Sequence, residues 1–167
     1  MNITTTVLEH IFSTTQLENQ RTLFEEDFYD THHRYFDQID DDYLLATNMS
    51  TADLILKWGF DWPDNYLEIG IEAAKHRCRP YENMNSWKDI SYEYLYYFSD
   101  SCSCLSSKGF KFFLIAAINI YLLDQKLNMN FIYFFIDRLG RNWEKDKECF
   151  SNDQQAFLRK FLQTCFP

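Results

Sequence analysis

Glycine and proline are scarce, with four and three respectively in 167 residues. A fold with many tight turns needs more of both, so a β-sandwich is disfavoured and long regular elements joined by short polar loops are expected. No secretory leader is expected either, because MNITTTVLEH has neither a basic start nor a long apolar stretch. With five cysteines, an odd number, the expectation is a cytoplasmic protein with reduced thiols. Cys102 and Cys104 are separated by one residue, too close for a zinc knuckle. The most apolar run, residues 110–123, is interrupted by Lys111 and Asn119. It falls short of the ~20 residues needed to cross a bilayer and reads as a buried core helix, with no membrane partner. No G-x-S-x-G elbow and no glycine-rich nucleotide cradle occurs. His10, His32, His33 and His76 have no recognisable nucleophile beside them. The expectation is a protein that is not an enzyme and carries no cofactor and no metal.

Against these absences stands a large apolar inventory. Hydrophobic residues make up 46% of the chain and aromatics 19%, enough for a thick core built largely of rings. No linker or repeat divides the sequence, so residues 1–167 are expected to form a single helical domain. Val7, Leu8, Ile11 and Phe12 predict a short amphipathic helix, after which Ser13 and Gln16 have the spacing of a capping box. Later helices are expected after Ser50, over residues 66–79 up to Pro80, and through the apolar run capped by Ser106 or Ser107. Two more are expected over residues 131–139, stopped by Gly140, and from Ser151, whose partner Gln154 completes a capping box. Residues 92–98, YEYLYYF, suit a helix capped by Ser91 or a strand. The count gives an all-α fold: an irregular or orthogonal bundle of about six to eight helices around a central apolar helix.

Residues 17 to about 45 are the most informative segment. Wound at about 100° per residue, Phe24, Phe28, Tyr35, Phe36, Ile39 and Tyr43 fall on one side, and Glu26, Asp30, His33, Asp37 and Asp41 on the other. That pattern predicts one long helix with a ring-bearing face on the core and a row of carboxylates in water. Glu25 and Asp27 extend the row at one end, and Asp40, Asp41 and Asp42 at the other. Like charges at i, i+4 mildly destabilise a helix, and a basic partner would compensate them. A formal net charge of −9 repels phosphate, so nucleic acid is a poor direct ligand and a basic protein a good one. The expected partner-binding residues are Glu26, Asp27, Tyr29, Asp30, His33, Asp37, Asp40, Asp41 and Tyr43, with the two tyrosines as aromatic anchors.

Two other readings of this face remain open. Glu26, Asp30, His33 and Asp37 have part of the carboxylate and histidine spacing of a di-iron helix, which would make a metal-dependent enzyme. That fold needs a second copy of the motif; Glu72 and His76 are spaced i, i+4 among Lys75, Arg77 and Arg79 and do not supply it. Alternatively, the acidic surface mimics nucleic acid, as a phage-type antagonist of a nucleic-acid-handling protein would. Tyr92, Tyr94, Tyr96 and Tyr97 lack the basic neighbours of a base-stacking platform and are expected to pack between helices.

The segment with Trp87, Ile90 and Ser91, followed by Leu105-Ser106-Ser107-Lys108-Gly109-Phe110-Lys111-Phe112-Phe113 and an apolar helix, resembles a family of small acidic helical bacterial proteins. In size, charge and style the chain is similar to the immunity proteins of polymorphic toxin and contact-dependent growth inhibition systems. That resemblance implies a cytosolic, non-enzymatic inhibitor. It would neutralise a cognate basic toxin, often a nuclease domain, by occluding its active site or substrate channel. Glu26, Asp30, Asp37 and Asp41 would meet the toxin.

Overall fold

Four of the described helices begin at a threonine or serine, Thr4, Ser91, Ser106 and Ser151, whose side chain accepts from an amide of the first turn. The computed structural model describes residues 3–18, 20–23, 26, 86–124 and 130–166. Among these, all regular structure is helical: six α-helices and three 3-10 segments, giving an all-α fold. The α-helices are α1 (Thr5–Phe12), α2 (Tyr92–Phe98), α3 (Ser107–Leu123), α4 (Asn130–Arg141), α5 (Trp143–Asp146) and α6 (Asn152–Cys165). The chain divides into two compact units, one formed by Met1–Leu23 with Asn85–Pro167 and the other by Phe24–Met84. All six described α-helices belong to the first.

Helix α3 is the core of that unit, with eleven of its 17 residues buried, from Gly109 and Phe110 to Asn119 and Ile120. Such burial on every side matches its near-continuous apolar sequence. Each fully buried Phe or Ile contributes about 1.5–3 kcal/mol of hydrophobic stabilisation, and Phe110, Phe112, Phe113, Ile115 and Ile118 are all at 0% exposure. Rings from the neighbouring helices close on this rod. Tyr94 of α2 stacks on Phe113 at 6.1 Å, Phe135 of α4 stacks on Phe110 at 6.2 Å, and Phe161 of α6 meets Tyr121 edge-on at 5.7 Å.

Ser106 caps α3, its hydroxyl accepting from the Gly109 amide at 3.1 Å and donating to Gln20 Oε1. Gln20 lies so close that a Cβ on Gly109 would stand 3.4 Å from its Cβ and 3.3 Å from Ser106 Oγ. Glycine permits that approach at the first turn. Residues 92–98 are helical, capped by Ser91, whose hydroxyl accepts from the Tyr94 amide at 3.1 Å. The strand alternative fails because the inward rings, Tyr94 and Phe98, are spaced i, i+4 and meet at 5.2 Å.

Two expected boundaries are corrected. Ser13 and Gln16 do not open a helix: Ser13 is the C-cap of α1, its hydroxyl donating to the His10 carbonyl at 3.3 Å, and Glu18 has a left-handed φ of 54°. Residues 17, 18 and 20–22 are therefore not helical, and the helix expected from residue 17 does not start there. Gly140 does not stop α4, which continues to Arg141; it is exposed and helical, with open space around the position a Cβ would take.

Candidate functional site

Among the described residues of the first unit, charged side chains gather at one sealed place and line two open ones. The sealed place is Arg138 on the inner face of α4, at 1% exposure, with Asp146 at the end of α5, at 0%. Arg138 Nε donates to Asp146 Oδ2 at 3.4 Å, Nη1 donates to the Cys102 carbonyl, and the guanidinium lies 4.2 Å from the centre of the Phe110 ring. One side chain thus ties α4 to α5, to the 3-10 segment Ser99–Ser103 and to α3. Nη2 of Arg138 and Oδ1 of Asp146 are buried without a hydrogen-bond partner among the described residues. Burial pushes the neighbouring Cys102 thiol up to about 12, with the Arg138 charge opposing the rise. Both side chains are closed off from solvent, and their bonds hold these helices together.

One open place is a cavity of about 320 Å³ between the loop after α1, the first turns of α3 and the 3-10 segment Lys147–Cys149. Lys108 and Lys111 of α3 line it with Glu18, Glu148 and Thr15. Lys111 Nζ donates to the Cys149 carbonyl at 2.8 Å and sits 5.5 Å from the Phe150 ring centre; its partial burial lowers its pKa. A second, wider groove of about 510 Å³ runs past Glu9, His10, Ser86 and Lys88, where Lys88 and Glu9 pair at 3.1 Å.

Of the nine residues expected to bind a partner, Asp27, Tyr29, Asp30, His33, Asp37, Asp40, Asp41 and Tyr43 lie outside the described residues. Glu26 is described, and it is a correction: at 7% exposure it is buried and has interactions within the chain, so it does not stand on a water-facing row. A carboxylate is kept at such a depth only where hydrogen bonds or charge compensate its lost hydration. The proposed metal set of Glu26, Asp30, His33 and Asp37 lies outside the described residues except for Glu26. Among the described residues no group of three or more His, Cys, Asp or Glu is placed to hold a metal ion. No described helix is long and apolar enough to cross a membrane.

The tyrosine cluster packs, in part. Tyr94 is buried at 7% exposure, Tyr92 meets Phe131 edge-on at 5.8 Å, and Tyr96 is 46% exposed. Sequence reasoning missed the Arg138 and Asp146 pair, because both residues sit in mixed-charge stretches that read as solvated. A weak signal existed: Arg138 is spaced i, i+3 and i, i+7 from Phe135 and Phe131 on the buried face of α4.

Dividing the sequence at the unit boundaries separates its charge completely. Phe24–Met84 holds 14 of the 25 Asp and Glu and 5 of the 16 Lys and Arg, a net of −9; the other unit holds 11 of each, a net of zero. All the formal net charge of the protein therefore belongs to one unit. Comparison of the chain with protein families, with curated proteins and with solved structures gives no match.

Proposed function

We propose that the protein is a non-enzymatic, cytosolic binding protein of the immunity type, whose acidic unit, Phe24–Met84, takes a basic toxin domain, most simply a nuclease. The observation that supports this reading is the separation of charge: a net of −9 in one unit and zero in the other. Charge needed only for solubility has no reason to avoid one unit. Charge needed for a partner belongs where the partner docks. A concentrated negative field steers a basic protein into encounter and raises the association rate, while phosphate ligands are turned away. Inhibition follows when the acidic unit covers the basic surface through which a nuclease holds its substrate backbone.

The test uses the protein encoded beside this chain. Co-expression of its C-terminal domain with the full chain should restore growth that the domain alone stops. Changing Asp30, Asp37 and Asp41 together to Lys should abolish both rescue and complex formation while the far-ultraviolet helical signal is unchanged. A neighbouring domain that is not basic, or a reversal variant that rescues fully, would overturn the reading.

A further inference from the structure

Helix α4 turns two large rings away from the core. Tyr133 and Phe134 are 59% and 47% exposed, whereas Phe131, Ile132, Phe135, Arg138 and Leu139 of the same helix are buried. The exposed residues of α4 are Asn130, Tyr133, Phe134, Asp137, Gly140 and Arg141. Wound at about 100° per residue, these six fall within about 120° of one another, an outer stripe opposite the buried one. Aromatic and arginine side chains are the ones that protein interfaces favour. Gly140 adds a second feature. Glycine is a poor helix former, yet here it is helical, and no atom of the described residues lies within 4 Å of the place its Cβ would take. The stripe therefore has rings at one end and a notch at the other.

Its two ends fit each other. Turned end for end about Asp137, the stripe sets Phe134 opposite Gly140, three residues to either side, and Tyr133 opposite Arg141, four to either side. A ring then fills the notch, and a guanidinium lies on the face of a tyrosine. The charges fit in the same way. Asp137 and Arg141 pair at 2.6 Å with both side chains more than half exposed, and two such pairs related by a two-fold axis make a ring of alternating sign. The stripe carries one charge of each sign, so it offers no net field to a strongly acidic or strongly basic protein. A second copy answers it charge for charge, through the self-complementary contact of a two-fold dimer. We propose that the outer face of α4 is the contact between two copies of this chain, the helices antiparallel and each Phe134 seated over Gly140 of the other copy. One helix face is smaller than the roughly 800 Å² per partner of a standard interface, so the dimer is weak and dissociates on dilution. The face lies wholly in the neutral unit, and the proposal does not depend on what the acidic unit binds.

The experiment is sedimentation equilibrium of the full chain from about 1 µM to about 1 mM. The mean mass should rise with concentration from 20.2 kDa toward twice that value. Gly140→Leu fills the notch with a better helix former, so it should weaken pairing at least about tenfold without lowering the thermal midpoint. Asp137→Arg should weaken pairing as much by gathering four like charges at the axis, and adding Arg141→Asp should restore it. A mass fixed at that of one chain over the whole range would overturn the proposal. Pairing in Gly140→Leu as tight as in the unaltered chain, or no recovery in the charge exchange, would overturn it too, because the copies would then meet through another face.

Discussion

Arg138 shows how a buried charge bears on stability. Its guanidinium and the Asp146 carboxylate are both withdrawn from water, at 1% and 0% exposure, and each leaves one polar atom without a partner. Removing one member strands the other. Arg138→Ala should therefore cost about 3–5 kcal/mol in urea unfolding, while replacing both Arg138 and Asp146 by Leu should cost much less. Equal losses would show that packing, and not the stranded charge, sets the cost. Cys102 gives a second prediction. It is 1% exposed with a pKa raised to about 12 by burial, whereas Cys104 is exposed. At pH 8 a maleimide should modify Cys104 in the folded protein and leave Cys102 unmodified. The fold favours the neutral thiol of Cys102, so that contribution is complete below its ordinary value of 9.0 and is lost as pH rises from there toward 12. Each pH unit in that window should lower stability by up to about 1.4 kcal/mol from this group; a flat stability profile above pH 9 in a Cys104-blocked protein would contradict the assignment. Neither residue could be placed from sequence, because burial of a charged or thiol side chain depends on elements distant along the chain.

Among the elements, the helix starts were readable, as were the ends of α1 at Phe12 and α2 at Phe98, whereas α4 runs past its expected stop at Gly140. Ser91, Ser106 and Ser151 cap α2, α3 and α6 as their sequences imply, since an N-cap needs only the side chain and amides a few residues on. The end of α1 is closed instead by distant side chains. Trp87 Nε1 donates to the Phe12 carbonyl at 3.2 Å, and Gln154 Nε2 donates to the Ile11 carbonyl at 3.1 Å. Such partners lie 75 and 143 residues away, beyond any local pattern. Gln154 thereby serves two helices, because its Oε1 also accepts from the Ser151 amide at 3.1 Å in the capping box of α6. Ser151→Ala should lower stability by about 1 kcal/mol. Gln154→Ala should cost more, about 2 kcal/mol, since it frees a part-buried carbonyl as well as the box. Thermal or urea unfolding with the two losses in reverse order would refute the double role. The same locality explains the failures. Ser13 and Gln16 match a capping box in spacing, yet the chain turns through a left-handed Glu18 and joins Gln20 to the cap of α3. Gly140 lies on an exposed face one residue from the end of α4, where a glycine costs the helix little enough to be carried through.

For the whole molecule, the sequence displays its acidity and its all-α character, but not the way charge is shared. The carboxylate periodicity of residues 26–41 suggested a single outward row, and the burial of Glu26 removes one end of it. What takes its place is broader: one unit, Phe24–Met84, holds all of the net charge, and the other holds none. That division was not visible without the contacts, because no Pro, Gly or Ser-rich linker marks either boundary. A binding account based on this division makes a demand that total charge alone does not. Two triple variants carry the same change in total charge: Asp30, Asp37 and Asp41 to Lys in the acidic unit, and Glu93, Asp124 and Asp153, exposed in the neutral unit, to Lys. The decisive measurement is the dissociation constant of each for the basic toxin domain proposed as the partner, by calorimetry at two salt concentrations. The account predicts that the first variant loses at least about a hundredfold in affinity and most of the salt dependence, while the second stays within about threefold of the unaltered chain. Equal losses in the two would contradict it.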